Sequence, residues 1–207
     1  MASGSGANSA NKKKREVVCM QEYEKIETVF ERAMDGSKKL IPGKFRNKTV
    51  EYLKNNRWIF TEKIDGTNIR IHWDGHKVEF GGRTNNAQIP TPLVNRLNDL
   101  FGGNENEEVF EQKFGSKDVI LFGEGYGPKI NKGHLYRDNV DFILFDVMID
   151  GTYLERHNVE DIAKSFGVDV VPIIIGGGYA RRRNCIRANS PKVHFWHSQH
   201  GRTCCTS

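Results

Sequence analysis

Two apolar runs flank a charged turn near the first third of the chain. WIFTEKI (residues 58–64) and NIRIHW (68–73) are rich in aromatic and β-branched residues and read as strands. Asp74-Gly75 followed by HKVEFGG is a strong hairpin signal. Lys63 therefore lies on or just after a strand, and Asp65-Gly66 makes the following turn. Upstream, YEKIETVFERAMDG ends at the stop signal Asp35-Gly36 and reads either as a short helix or as an extended lead-in segment. TPLVNRLNDLF has Thr91 as N-cap, Pro92 as first helical residue, and Leu93, Leu97 and Leu100 on one face, the pattern of a helix packed on a core. KDVILFGEGYG and VDFILFDVMIDGTYL read as two buried strands, the second turning at Asp150-Gly151. NVEDIAKSFGV reads as a helix closed by Gly167. No βαβ repeat and no phosphate-loop motif occur. The order predicts an α+β fold of antiparallel hairpins with outer helices.

Composition narrows the class. With 207 residues, 37% hydrophobic and 28% charged, the chain has the balance of a soluble globular protein. No run approaches the roughly 20 apolar residues of a spanning helix. Residues 1–15, rich in Ser, Gly, Asn and Lys, lack the apolar core of a secretory signal and read as a disordered leader. The formal charge of +5 favours polyanionic partners only weakly. Four cysteines without CxxC spacing fit reduced thiols in a cytoplasmic protein.

The chemistry concentrates around Lys63-Ile64-Asp65-Gly66, a KxDG sequence. A lysine amine attacks phosphorus only when unprotonated, a state that burial beside other cations favours. Downstream, GGRTNN offers Arg83, whose planar fork suits a phosphate. ILFGEGYG delivers Glu124 between Gly123 and Gly125, glycines that leave room for a ribose hydroxyl or a metal-bound water. DFILFDV carries Phe142 and Phe145, and two phenylalanines in an apolar strand are as a rule core.

In this order, these segments resemble the ATP-dependent RNA ligases, members of the covalent nucleotidyltransferase superfamily, over roughly residues 22–175. The resemblance implies a two-sheet, ATP-grasp-like ligase domain with a nucleotide cleft between the sheets. It implies Lys63 as the nucleophile that accepts AMP, and an adenylate site of Glu62, Ile64, Asp65, Gly66, Asn68, Arg83, Glu124 and a phenylalanine, Phe142 or Phe145. Glu124 would also serve Mg²⁺. ATP and RNA ends with a 5′-phosphate and a 3′-hydroxyl are the implied substrates, for a monomer without membrane attachment. A DNA ligase or a capping guanylyltransferase shares KxDG; the EKIDGTN context and the small size favour RNA ligase.

The resemblance stops short of the C-terminus. Such enzymes carry a further EGxV motif and a lysine-bearing motif that neutralises the triphosphate, yet no Glu follows Glu160 and only Lys192 follows Lys164. The domain thus reads as residues 16–175, incomplete, followed by an atypical tail, 176–207, with neither helical nor strand period. Back-translated and read one nucleotide later, PKVHFWHSQHGRTCCT permits Lys-Ser-Thr-Phe-Gly, then Thr-Leu, then Met-Glu-Gly-Leu-Val-Ala-Arg, which contains EGxV. The expectation is a frameshift after IIIGGG, leaving either an impaired ligase or an inactive nucleic-acid-binding remnant. The tail residues His194, His197, His200, Cys204 and Cys205 match no tetrahedral zinc spacing.

Overall fold

The structure, a computed structural model, describes residues 20–178, 193–196 and 202–205. In chain order the elements begin with β1 (Glu27–Thr28), β2 (Phe30–Arg32), β3 (Leu40–Phe45), α1 (Lys48–Leu53), β4 (Arg57–Glu62), β5 (Thr67–Trp73) and β6 (Val78–Gly81). Then follow α2 (Thr91–Phe101), α3 (Asn104–Phe114), β7 (Val119–Tyr126), β8 (Asp141–Ile149), β9 (Thr152–Tyr153), α4 (Arg156–Ser165), β10 (Asp169–Val170), β11 (Ile173–Gly178), β12 (Val193–Trp196) and β13 (Arg202–Cys205). One sheet has the order β1-β13-β12-β4-β11; the other runs β10-β8-β7-β5-β6 with β9 on β8; β2 and β3 form a separate pair. The pairings are antiparallel except β1 with β13 and β10 with β8. The mixed, antiparallel-rich α+β architecture agrees with the sequence expectation.

Strand alternation explains the second sheet. Ile69, Ile71 and Trp73 of β5, Val119 and Leu121 of β7, and Phe142, Leu144 and Val147 of β8 point to one face. There they meet Leu93, Leu97 and Phe101 of α2, Phe110 and Phe114 of α3, and Val159 and Ile162 of α4. Trp73 stacks on Phe110 at 5.5 Å between ring centres. The opposite face carries Ile120, Phe122 and Met148, covered by Tyr23 and Tyr153. With both faces covered, the runs VILF and FILF are apolar at every position.

A β-bulge interrupts β8: Phe122 pairs with Asp146 and Gly123 with Leu144, so Phe145 has no partner across the ladder. The extra residue resets the alternation, which is why Phe142 and Leu144 before it and Val147 after it all face the same core.

Of the two readings of the lead-in YEKIETVFER, the extended one holds, with β1 and β2 in it. Two local expectations change. The N-cap of α2 is Pro90 rather than Thr91, which is already the first helical residue and makes no capping bond. The boundary drawn at residue 175 falls inside β11, and β12 joins the first sheet beside β4 while β13 pairs with β12 and β1. The leader and the rest of the tail, His197 and His200 included, lie outside the described residues.

The connection between β4 and β5 positions the site. β4 belongs to one sheet and β5 to the other, so Lys63–Gly66 is the crossing between them. Whatever these residues carry stands at the junction of the two sheets.

Candidate active site

A cleft of about 470 Å³ opens at that junction, lined by Glu62, Lys63, Ile64, Gly66, Asn68, Arg83, Glu124 and Phe145. Tyr23, Glu24, Lys25, Ile26, Thr61, Thr67 and Val171 complete the wall. Most of the residues singled out from the sequence therefore meet in one place, delivered by four segments: the β4–β5 crossing with the start of β5, the turn after β6, β7 and the β8 bulge.

Glu124 and Asn68 are cross-strand partners on β7 and β5 and project to the same side. The Gly66 amide donates to Glu124 Oε1 at 3.1 Å, which ties the KxDG turn to the carboxylate strand. No side chain fits at Gly66, where a Cβ would lie 2.2 Å from the Gly125 carbonyl oxygen and 2.9 Å from Glu124 Cγ. Burial pushes the Glu124 carboxyl up to about 7; the charges of Lys63 and Arg83 and the Gly66 N–H pull it down, and Asp65 pushes it further up. Asp65 thus acts on the site through its field without lining the cleft. Ile64 is buried against Tyr126, Ile143 and Val171, which anchors the crossing on the residue next to the lysine.

Phe142 is corrected. It is 1% exposed and packs edge-on against Phe101 at 5.4 Å, on the sheet face away from the cleft. Phe145, released to the other side by the bulge, is the phenylalanine that lines the cleft, and its ring meets Tyr23 edge-on at 4.9 Å. The flanking glycines are corrected as well. A Cβ at Gly123 would sit 2.1 Å from Phe142 Cζ, and one at Gly125 2.3 Å from Leu93 Cδ2. Core packing, not access to a ligand, requires them.

Sequence reasoning missed two features. Residues 23–26 form part of the cleft wall, and Tyr23 donates to Asp146 Oδ2 at 2.8 Å. Arg70, fully buried on β5, donates to the Met20 carbonyl at 2.7 Å, the Gly82 carbonyl at 2.7 Å and Asn85 Oδ1 at 3.0 Å. It clasps the wall segment to the turn that carries Arg83. An arginine inside the apolar run NIRIHW was the available signal.

The site fits a divalent cation shared with a nucleotide. Among the described residues no group of three or more acidic, His or Cys side chains is arranged to hold a metal alone. The cleft offers the desolvated Glu124 carboxylate, Glu62, and Asn68 Oδ1, a buried oxygen with no hydrogen-bond partner. Mg²⁺ is commonly held in this way, by one or two carboxylates plus the phosphates of the substrate.

Residues 56–202 match the RNA ligase family. Several solved structures of Naegleria gruberi RNA ligase superpose on the chain. An apo point mutant gives a TM-score of 0.66 at 17% identity, covering 93% of this chain and 58% of that one. The ligase with PPi gives 0.64 at 17% identity, covering 98% and 61%. Another point mutant, with ATP and Mn, gives 0.61 at 18% identity, covering 77% and 51%. The chain thus spans between half and three fifths of the length of these proteins, and at such identity the likeness is one of fold. Among the described residues no helix is long and apolar enough to cross a membrane. The two-sheet fold and the family match, which takes in the whole KxDG crossing and extends through β12, establish that this chain belongs to the RNA ligase family.

Proposed function

We propose that the chain is the nucleotidyltransferase part of an ATP-dependent RNA ligase, with Lys63 as the nucleophile. The reading is carried by one observation: the lysine of KxDG sits at the crossing between the sheets, in the same cleft as Glu124, Arg83 and Phe145.

Lys63 Nζ attacks the α-phosphorus of ATP. The P–N bond forms, the bond to the oxygen bridging to the β-phosphate breaks, pyrophosphate leaves with the electron pair, and the amine loses a proton to solvent. An oxygen of an RNA 5′-phosphate then attacks the same phosphorus, and the Lys63 amine departs and regains its proton. Finally an RNA 3′-hydroxyl attacks the 5′-phosphorus, AMP leaves, the hydroxyl proton is released and the strand is sealed. Mg²⁺, when bound, neutralises charge on the phosphate oxygens. Glu124 would hold it, while Arg83 takes a phosphate, Phe145 stacks on the base, and Glu62 and Asn68 orient the nucleoside.

Residues 161–207 hold no EGxV and only Lys164 and Lys192 as lysines; where such groups are lacking, pyrophosphate departure is poorly neutralised and turnover is slow. The protein acts as a cytoplasmic monomer.

Incubation with α-³²P-ATP tests the reading. Label that is stable to alkali, released by acid and absent from Lys63→Ala is expected. RNA binding with no label at any exposure time would instead mark a binding remnant. Resequencing the gene across codons 176–207 tests the reading frame.

A further inference from the structure

We propose that the loop of residues 127–140 docks the RNA strand bearing the 5′-phosphate, with Lys129 and Lys132 as its phosphate contacts; this rests on the RNA-ligase reading above. The loop connects the glutamate strand β7 to β8, and it is braced against the nucleophile turn at two points. Asn131 Nδ2 donates to the Gly66 carbonyl, and the Tyr136 hydroxyl donates to the Lys63 carbonyl at 3.5 Å. No residue of the loop lines the nucleotide cleft, so its position is outside the turn, beside the lysine rather than around the nucleotide.

The loop is built to hold its shape. Ile130 is buried in the main core, and Gly133 packs so closely on Gly127 that a Cβ would lie 2.2 Å from the Gly127 nitrogen. Lys129 and Asn131 both have left-handed backbone, at φ 65° and 47°, a conformation that costs non-glycine residues on the order of 1 kcal/mol and clusters at functional sites. At its far end Arg137 is taken up by Asp141 and Asp169, and Arg96 also pairs with Asp141 at 3.0 Å. Arg137 is therefore a strut. Lys129 and Lys132 are exposed and make no ion pair with any described residue, and Asp138 is the loop's one acidic residue.

Two uncommitted cations on a rigid turn beside the attacking lysine match a polyphosphate chain whose terminal phosphate must reach that lysine. A free nucleotide carries three phosphates at most, and its α-phosphate must reach Lys63. A single strand of RNA continues past its 5′-phosphate with one charge per nucleotide, and it is the occupant whose charge spacing extends from Lys63 onto this loop.

The test is equilibrium binding of a 5′-phosphorylated RNA of about 12 nucleotides to the full chain over a salt series. Lys129→Ala/Lys132→Ala is expected to bind about tenfold more weakly near 0.15 M salt, with the slope of log K against log salt smaller by about 1.4, because each lost single-strand phosphate contact removes about 0.7. Lys129→Arg/Lys132→Arg is expected to restore both values. Lys113→Ala/Lys117→Ala removes the same charge near the opposite end of β7, roughly 20 Å along the strand, and is expected to leave both values at those of the parent. Unchanged affinity and slope in the first pair, an equal loss in the control pair, or failure of the parent chain to bind RNA would each overturn the proposal; melting curves verify that the variants are folded. A chain that binds RNA in this way yet never acquires AMP would remove the adenylation reading while leaving the docking loop intact.

Discussion

Gly66 and Glu124 are joined by a 3.1 Å hydrogen bond from the amide of one to the carboxylate of the other, across the junction of the two sheets. The bond makes the nucleophile turn and the carboxylate strand a single rigid unit, and it is possible only because residue 66 has no side chain. Gly66→Ala is expected to push the turn off β7, since the nearest obstacle is the Gly125 carbonyl, which belongs to the backbone and cannot rotate away. The expected cost is about 1–3 kcal/mol in denaturant unfolding, the range for overpacking. A fall in adenylation rate of at least tenfold should accompany it. An alanine variant as stable and as fast as the parent would show that the turn is looser than the geometry implies.

The raised carboxyl of Glu124 makes a prediction with a definite sign. Folded, it releases its proton near 7; unfolded, near the ordinary 4.5. Between these values the folded chain holds a proton that the unfolded chain has lost. This contribution is fully present below 4.5 and disappears as pH rises through about 7, amounting to about 3 kcal/mol at most. The charges of Lys63, Arg83 and Asp65 are the groups that set the balance around it. Glu124→Gln stays neutral throughout, so it should match the parent near pH 5 and exceed it near pH 8. Urea melts at the two pH values check this, and an equal difference between the proteins at both would count against a buried, titrating carboxyl.

The two phenylalanines of DFILFDV separate core from site. Phe142 fills the space between Gly123 and Phe101, so Phe142→Ala should lose about 3–5 kcal/mol of stability. Phe145 is half-buried at the bulge, and Phe145→Ala should cost less stability while raising the KM for ATP severalfold. Thermal melts and adenylation kinetics on the pair give the comparison. A larger effect on nucleotide affinity from Phe142 than from Phe145 would contradict the assignment.

The sequence was most legible where the physics is local. Aromatic and β-branched runs identified β4, β5, β7 and β8, and the apolar stripe of α2 held for Leu93 and Leu97, whereas Phe101 is the third buried residue and Leu100 is only partly buried. The residues that meet in the cleft were legible because their motifs keep order and spacing. The choice between Phe142 and Phe145 depended on a bulge, which is a property of pairing between strands and leaves no period in one of them. Helix α3, with its many acidic residues, shows a weak apolar stripe of Phe110 and Phe114 and went unread. The cleft wall at residues 23–26 is short, extended and partly polar; tertiary contacts through Tyr23 and Arg70 hold it, and such contacts are invisible along the chain.

Arg70 supplies the remaining prediction. Its guanidinium reaches three acceptors on two separate segments: the Met20 carbonyl on the cleft-wall side, and Gly82 and Asn85 on the turn bearing Arg83. A lysine keeps the charge but has a single flexible ammonium, which cannot satisfy this fork from the same position. Arg70→Lys should therefore destabilise the fold by about 2–4 kcal/mol, because two of the abandoned acceptors, the Met20 and Gly82 carbonyls, belong to buried residues. If Arg70 also matters to the nucleotide, it does so by holding Arg83 in place, and the two residues must be coupled. Adenylation rates of Arg70→Lys, Arg83→Ala and the double variant, measured well below the melting temperature, form the cycle. The double variant should be faster than the product of the single losses implies, with a coupling of about 1 kcal/mol or more. Losses that multiply to within about 0.5 kcal/mol would mean that Arg70 stabilises the fold without orienting the arginine turn.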